Sequence, residues 1–332
     1  MTSFEYARPE TEAEAVEFLG EHHGNTAVLA GGTDLMNLLK ADLVAPKRVV
    51  DLKHIPSLKT VQPENGGVTI GAQVTLDELA RHPLVADYAS VRDVIDGIRA
   101  IQVTSSGTLA GDLCLHPNCW YYRNGYGLTA WQNGESLVAE GDNRYHAILG
   151  NQGPAKFVSA SRFAPAGIAW QAKVRVVGPP RNNEPAAEWL PLEYFYVTPK
   201  TNQHGHTVLK PGQFISHVWL PDSRNVQSAT YEVLQMEGLD WPLASAAACL
   251  DIEGGTVREA RLVLGHVAPV PWVAADAARF LVGRQVNEET AAIAGDMAVA
   301  MATPLSMNEY KVQLARTAVK RAVLKAAGHW NE

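Results

Sequence analysis

Cysteine is scarce in this chain, and the scarcity excludes two kinds of architecture. The 332 residues include three cysteines, Cys114, Cys119 and Cys249. Three thiols at these spacings do not make a disulfide framework, which uses paired cysteines. They are also fewer than the four thiolates that an ordinary iron–sulfur cluster requires. We therefore predict that the chain holds no iron–sulfur cluster and no other metal site of its own.

The sequence also lacks a long apolar run and a basic region. No segment reaches the ~18 apolar residues typical of a membrane span. The formal net charge of −7 does not favour a nucleic-acid-binding face, which would be basic. Residues 1–5 show neither the basic nor the apolar region of a signal peptide. We expect a cytoplasmic protein, and the alternative is a periplasmic one that is exported together with a signal-bearing partner.

Common nucleotide-binding and catalytic motifs are missing as well. There is no G-x-G-x-x-G of a Rossmann fold and no G-x-x-x-x-G-K-[ST] of a P-loop. The histidines are scattered without metal-binding spacing, and no nucleophile elbow or Cys–His pairing can be recognised. We therefore identify no catalytic residue. This favours a protein in which a bound cofactor supplies the chemistry.

Two glycine-containing loops are the main positive signal. The first loop, residues 30–35, follows an apolar strand and contains Gly31 and Gly32. Adjacent glycines allow positive φ, and successive free N–H groups form a concave site for an anion such as a diphosphate. The second loop, residues 105–112, has the same character. We predict that the two loops clamp one diphosphate, whereas each loop alone is also compatible with an ordinary tight turn.

Periodicity and turn residues predict a sheet-rich chain that ends in helices, an α+β fold. Polar turn residues at 221–224 mark a domain boundary. The predicted helices span 9–20, 34–40, 75–79, 84–101, 274–281, 287–301 and 308–327, with a short one near 165. The predicted strands span 28–29, 48–52, 67–72, 157–160, 173–177, 229–234, 243–252 and 257–265, with two more inside 206–215 and a connector at 190–195.

Three motifs together resemble a known family. They are the first loop, the Thr-x-x-Gly-Asp of Thr108–Asp112, and residues 263–271 with the sequence VLGHVAPVP. In this order they resemble the FAD-binding medium subunit of molybdenum hydroxylases, the family of xanthine dehydrogenase, aldehyde oxidoreductase and carbon monoxide dehydrogenase. The resemblance covers nearly the whole chain. Residues 119–123 and 142–150 are similar to the periplasmic aldehyde oxidoreductase branch.

The resemblance implies a fold and a domain division. It implies a PCMH-type, vanillyl-alcohol-oxidase-like FAD-binding domain over residues 1–221, with subdomains of about 1–58 and 59–221. A C-terminal α+β flavoprotein domain of the CO dehydrogenase type would occupy residues 222–332. By position in the family, the cofactor-binding residues would be Leu29, Ala30, Gly31, Gly32, Thr33, Asp34, Leu35, Thr108, Gly111 and Asp112.

The resemblance also implies partners and a path for electrons. FAD would be bound in this chain, and a small subunit with [2Fe–2S] clusters and a large molybdopterin-binding subunit would complete the complex. Electrons would pass from the molybdenum centre through the [2Fe–2S] clusters to FAD and then to an external acceptor. The substrate would be set by the molybdenum subunit.

The sequence departs from the family pattern in three places, and these departures leave more than one function open. Asp112 stands where the family usually has asparagine, and Arg162 stands where an aspartate usually binds the flavin's sugar. Of the four cysteines that ligate an extra [4Fe–4S] cluster in the aldehyde oxidoreductase branch, only Cys119 is present, so we expect no [4Fe–4S] cluster in this chain. The alternative function is a structural scaffold subunit that has lost tight flavin binding. A stand-alone flavin oxidase has less support, because no substrate-binding domain or base is apparent.

Two segments after the second loop have open interpretations. The aromatic stretch 119–123 predicts either packing under a loop or a wall against a flat ring system. The polar, glycine-punctuated stretch 137–152 is long for a compact domain, which is typical of a functional loop. We expect the whole segment 119–152 to lie near the flavin ring edge and the partner's cluster.

Overall fold

Three main sheets and a two-stranded ribbon organise the described part of the chain in the computed structural model. That part comprises residues 1–22, 25–181, 184–236, 238 and 240–330. No helix within it combines the length and the apolar character needed to cross a membrane. Helices and strands both occur along the chain, and a run of strands over residues 173–273 is followed by the C-terminal helices, so the predicted α+β class is confirmed.

The first sheet is small and parallel, with strand order β1-β3-β2. Its elements are β1 (Glu5–Ala7), α1 (Glu12–Gly20), β2 (Thr26–Leu29), α2 (Leu35–Lys40) and β3 (Arg48–Asp51). The α1 helix begins after Thr11, whose hydroxyl accepts a hydrogen bond from the Glu14 N–H at 3.2 Å, as the N-cap pattern predicts. The first glycine loop leaves the carboxyl end of β2. That end of a parallel sheet is where ligands commonly bind.

The second sheet is antiparallel, with strand order β4-β5-β10-β8-β9. Apolar side chains from it, from α4 and from α9 form the largest core cluster. Its strands are β4 (Val61–Glu64), β5 (Gly67–Gly71), β8 (Lys173–Arg181), β9 (Glu184–Pro191) and β10 (Phe214–Leu220), and the ribbon is β6 (Trp131–Gln132) with β7 (Glu135–Ser136). The helices are α3 (Leu76–Arg81), α4 (Ala89–Gly97), α5 (Ile101–Ser106), α6 (Leu109–Leu113), α7 (Trp120–Arg123), α8 (Leu137–Glu140) and α9 (Phe163–Ala169).

The third sheet is antiparallel, with strand order β11-β12-β13-β14, and packs against C-terminal helices. Its elements are β11 (Val226–Val233), β12 (Ala244–Glu253), β13 (Thr256–Gly265), β14 (Trp272–Val273), α10 (Ala275–Leu281), α11 (Glu288–Ala298) and α12 (Tyr310–Ala326). Gly254 and Gly255 join β12 to β13 with φ of 58° and 79°. Such a turn matches the twist of a hairpin, and β12 and β13 pair antiparallel on either side of it.

Buried polar groups join the third sheet and its helices to the rest of the chain. Arg162, which precedes α9, forms an ion pair with Glu232 of β11, and both side chains are less than a tenth exposed. The Lys311 ammonium of α12 donates to the carbonyls of Tyr145, His146 and His266 at 3.1, 3.1 and 2.8 Å. Burial lowers the pKa of Lys311 to about 7. The long segment 137–152 is therefore fixed against the C-terminal helices.

Several predicted elements are wrong in detail. The helix expected over 84–101 is interrupted, because α4 ends at Gly97 and α5 begins at Ile101. A side chain at position 97 would meet the Arg162–Glu232 pair, with a Cβ only 2.6 Å from the Glu232 carboxylate. Residues 157–160 form no strand, although the Ser159 N–H donates to Ala268 at 2.9 Å.

The region 184–215 also differs from expectation. The strand β9 occupies most of a stretch for which no strand was predicted, and it pairs with β8. Of the two strands expected within 206–215, only the start of β10 at Phe214 is present, and Thr207 makes a single bridge to Tyr196. The strand β10 pairs with β5 and β8, which are distant in the sequence, so local turn residues do not predict its bounds.

Candidate cofactor-binding cleft

A cleft of about 550 Å³ is bordered by both glycine loops. One wall comes from β2 of the first sheet and another from Phe214 and Ile215 at the start of β10. The volume and the position beside a parallel sheet edge are those of a small-molecule or cofactor site. The end lined by residues 25–28 and 44–46 is largely apolar.

The two glycine loops interlock at the cleft. A Cβ atom on Gly31 would lie 1.8 Å from the Ser106 carbonyl oxygen, so no other residue fits between the loops as they stand. Gly32 has φ of 77°, a conformation that glycine adopts without strain. In the second loop the Thr108 hydroxyl accepts from the Gly111 N–H at 3.1 Å and caps α6. The pair of loops is thus a single, locally rigid unit.

Most of the sequence-predicted site residues meet at this cleft. Those that line it are Ala30, Gly31, Gly32, Thr33, Asp34, Leu35, Thr108 and Gly111. Leu29 and Asp112 lie outside the lining. Leu29 is the last residue of β2, and its side chain approaches Gly32.

The Asp112 carboxylate turns away from the cleft and into the protein. It accepts hydrogen bonds from the Ser161 hydroxyl at 2.5 Å and from the Phe163 N–H at 3.1 Å, which caps the amino end of α9. Burial raises the pKa of Asp112 to about 6. An acidic residue is therefore tolerated beside the second loop, because its charge faces a helix terminus and not the cleft.

The Arg162 side chain also points away from the cleft. The cation does not enter the cleft in place of the missing aspartate, because its guanidinium is bound by Glu232 of β11. Arg162 therefore joins the start of α9 to the third sheet.

Asp34 of the first loop is neutralised by a residue that the sequence did not point out. The Arg123 guanidinium at the end of α7 lies 2.8 Å from Asp34 Oδ1, and both side chains are about one-fifth exposed. Arg123 also donates to the carbonyls of Pro117 and His116, each at 3.0 Å. The His116 N–H donates to Asp34 at 3.3 Å. This ion pair fixes the connection 114–119 at the mouth of the cleft.

The aromatic side chains around α7 pack against one another and not into the cleft lining. The Tyr122 ring stacks on His116 at 5.6 Å between centroids, and the Tyr122 hydroxyl lies 2.9 Å from His116 Nδ1. Trp120 meets the edge of Tyr145 at 5.4 Å. His116 itself lines the cleft, and burial lowers its pKa. The packing interpretation of this stretch therefore describes it better than the wall interpretation.

Cys119 lies beside a histidine in the same cluster. Its Sγ is 3.2 Å from His146 Nε2. Burial raises the pKa of the Cys119 thiol and lowers that of His146 to about 4, so both groups are neutral near pH 7. Across the described ranges, no three His, Cys, Asp or Glu side chains lie close enough together to hold a metal ion. Absence of a cluster stays a prediction for iron analysis.

Gln73 is a second cleft residue that the sequence did not point out. The residue borders the cleft and is 5% exposed, and its amide oxygen and nitrogen are buried without a hydrogen-bond partner among the described residues. Local sequence gives no signal for this burial. Two interlocked glycine loops and a lining with many apolar residues fit a ligand that carries a diphosphate and flat rings, as FAD does.

Comparison with known proteins identifies the same parts. The family described as "FAD binding domain in molybdopterin dehydrogenase" matches residues 2–223. The family described as "CO dehydrogenase flavoprotein C-terminal domain" matches residues 229–326.

Two curated relatives match over almost their full lengths. The chain is 28% identical to the aldehyde oxidoreductase FAD-binding subunit PaoB of Escherichia coli (strain K12), over 98% of this chain and 99% of that one. It is 26% identical to the carbon monoxide dehydrogenase medium chain of Hydrogenophaga pseudoflava, over 96% of each.

Solved structures share the fold. A chain of carbon monoxide dehydrogenase from Hydrogenophaga pseudoflava superposes with a TM-score of 0.76 at 24% identity, covering 99% of this chain and 98% of that one. A chain of quinoline 2-oxidoreductase from Pseudomonas putida 86 gives 0.75 at 24% identity, with 98% of each covered. The chain therefore belongs to the family of FAD-binding medium subunits of molybdenum hydroxylases, and the FAD-binding domain is its amino-terminal part.

Proposed function

We propose that this chain is the electron-transfer subunit of a three-subunit molybdenum hydroxylase. It would receive electrons from [2Fe–2S] clusters of a small partner, which are supplied in turn by a large molybdopterin-binding partner, and pass them to an external acceptor. The observation that carries the proposal is the pair of interlocked glycine loops at the cleft.

The site residues would hold the cofactor by backbone contacts. We place the FAD diphosphate between Gly31–Thr33 and Thr108–Gly111, where backbone N–H groups and the positive φ of Gly32 favour a bound anion. Bound FAD supplies exchange of electrons either singly or in pairs, which suits a relay from one-electron clusters to a two-electron acceptor. The chain's own residues position that group, balance its charge and exclude water from it.

Charge balance at the first loop supports this placement. A diphosphate next to an unpaired carboxylate would be repelled. Arg123 pairs with Asp34 at 2.8 Å, so the first loop presents its N–H groups without a free negative charge. Asp112 of the second loop faces α9, which removes a second source of repulsion.

The alternative function, a scaffold subunit that has lost tight flavin binding, was suggested mainly by Asp112 and Arg162. Both side chains have partners away from the cleft, in α9 and in β11. Neither side chain therefore repels or displaces a ligand in the cleft. We therefore favour tight flavin binding over a scaffold that has lost it.

Co-expression with the two partner subunits tests the proposal. We expect a stable ternary assembly with one FAD per copy of this chain, in which an aldehyde or an N-heterocycle bleaches the flavin absorbance and a dye acceptor restores it. The isolated chain should retain FAD yet show no bleaching by substrate. A stable assembly without flavin would support the scaffold instead. Turnover of substrate by the isolated chain at a comparable rate would contradict the electron-transfer role.

A further inference from the structure

The cleft lies between the first sheet and the second sheet. One wall comes from β2, and another comes from Phe214 and Ile215 at the start of β10. The two glycine loops meet where Gly31 approaches the Ser106 carbonyl. A further contact between the two sides is made by helix α1, which packs on β8 and β9 of the second sheet. The spacing of the cleft walls therefore depends in part on how α1 is held.

Apolar side chains provide one part of the contact between α1 and the second sheet. A buried cluster joins Ala15, Val16 and Leu19 of α1 to Val177 and Phe214 of the second sheet. Hydrophobic burial holds such surfaces together but is non-directional. A hydrogen-bonded contact in the same joint adds a defined direction and length.

Arg175 of β8 makes that hydrogen-bonded contact. Its Nη1 atom donates to the Glu12 carboxylate of α1 at 2.7 Å and to the Ser216 hydroxyl of β10 at 2.8 Å. The Arg175 and Glu12 side chains are 27% and 19% exposed, and Ser216 is fully buried. Both hydrogens of one guanidinium nitrogen are thus used, and the fixed fork geometry of the guanidinium sets the direction of each bond.

Ser216 is the bulged residue of the strand that forms one wall of the cleft. The register between β10 and β8 shifts between Ile215 and His217, so Ser216 is the extra residue. Its carbonyl accepts from the Ala72 N–H at 2.8 Å, and both Ala72 and Ile215 line the cleft. A bulge bends its strand, and bulges are frequent beside functional sites. Arg175 therefore holds the point at which this wall bends.

We propose that Arg175 is a positioning residue for the cofactor, because it ties α1 to the bulge in β10 and so fixes the spacing of the cleft walls. Arg175 itself does not line the cleft, and its influence passes through Ser216 and Ala72. A binding site that must keep its geometry to within about 0.5 Å relies on such supporting contacts. The inference rests on the proposed flavin binding and adds to it a residue outside the cleft on which the affinity depends.

Glu12 offers a test with little risk to folding, because it lies in the first turn of α1. Glu12→Ala removes the acceptor for Arg175, and we expect FAD to bind about tenfold more weakly. Quenching of flavin fluorescence on titration into the flavin-free, full-length chain measures this affinity. Glu12→Gln keeps a side-chain oxygen as acceptor and should restore most of the lost affinity. Glu17→Ala removes an exposed charge from the same helix and should leave FAD binding unchanged, as a matched control.

A second pair of variants separates positioning from stability. Arg175→Met should weaken FAD binding about tenfold and lower the midpoint of thermal unfolding, because Glu12 loses its cation. Arg175→Met/Glu12→Gln should recover most of the midpoint, since no unpaired carboxylate remains. Its FAD affinity should stay low, because α1 is still not tied to the bulge in β10. If affinity recovered together with the midpoint, or never changed, the pair would only support the fold and the proposal would be overturned.

Amide hydrogen exchange of the flavin-free chain reports on the wall itself. The Ala72 N–H, which donates to the Ser216 carbonyl, should exchange faster in Glu12→Ala and in Arg175→Met than in wild type. In Glu17→Ala it should exchange at the wild-type rate. Wild-type exchange in all three variants would overturn the proposed route from Arg175 to the cleft. A wild-type chain that binds no FAD would contradict the proposed function itself, and this assignment with it.

Discussion

At the scale of single residues, binding of a diphosphate in the cleft depends on the charged side chains near the two glycine loops. Asp34 lies in the first loop, and its carboxylate has contacts from Arg123 and from the His116 N–H. A half-buried carboxylate close to a diphosphate is tolerated only while a cation balances it, because like charges repel strongly where water is partly excluded. Arg123 is therefore a positioning and charge-balancing residue.

Replacing Arg123 by methionine should weaken FAD binding about tenfold, because the unpaired Asp34 carboxylate would then repel the diphosphate. Titration of the flavin-free variant with FAD measures the change. The double variant Arg123→Met/Asp34→Asn should recover most of the affinity, since the repelling charge is gone. Arg144→Met breaks an exposed ion pair with Asp142 and should leave FAD binding unchanged. No recovery in the double variant would contradict the charge argument.

The sequence predicted site residues whose role depends on their neighbours in the chain. It did not predict residues whose role depends on contacts with distant parts of the chain. Gly31, Gly32 and Thr108 could be identified because backbone conformation and capping depend on neighbouring positions. Arg123 could not be, because its significance comes from Asp34, which only folding brings close to it. The local sequence around Gln73 likewise carries no sign that its amide is buried and unpaired.

At the scale of elements, the same division explains which helices were predicted correctly. Helices with local start signals appear where expected, such as α3, where Thr75 and Glu78 form a capping box. The stretch 84–101 has continuous helical character, yet tertiary contact of Gly97 with the Arg162–Glu232 pair ends α4. Helix α9 was located only as a short segment near 165, and its cap comes from Asp112, some fifty positions earlier.

The α9 cap predicts a pH dependence of stability. Burial raises the pKa of Asp112 to about 6 in the folded chain, against about 4 when unfolded. The stabilisation from a protonated Asp112 is complete below the unfolded pKa and is lost as the pH rises through the folded pKa. Between about pH 4 and pH 6, wild type should lose about 2 kcal/mol of unfolding free energy relative to Asp112→Asn, which caps α9 without ionising. Denaturant unfolding of both proteins at pH 4, 5, 6 and 7 measures this, and a constant difference would contradict it.

At the scale of the whole molecule, the main question is how the FAD-binding part and the C-terminal part are held together. The joint contains a buried ion pair between Arg162 and Glu232, and the Arg162 N–H also lies 3.4 Å from the Asp112 carboxylate. A continuous set of polar contacts thus runs from the second glycine loop to the C-terminal sheet. Burial raises the pKa of Glu232, so this carboxylate depends on its partner to stay ionised.

Removing one partner of this pair should cost far more than removing both. Arg162→Met leaves the Glu232 carboxylate buried without a cation, and we expect the free energy of unfolding to fall by about 3–5 kcal/mol at pH 7. The loss should shrink on acidification, because Glu232 then becomes protonated and neutral. Arg162→Met/Glu232→Leu should recover most of the stability, since an apolar pair can fill the same space. Urea unfolding of the three proteins at pH 5 and pH 7 checks this, with Arg224→Met, which breaks the exposed Asp222 pair, as a neutral control. A double variant as unstable as the single one would show that the ion pair itself, and not the avoidance of a lone buried charge, holds the two parts together.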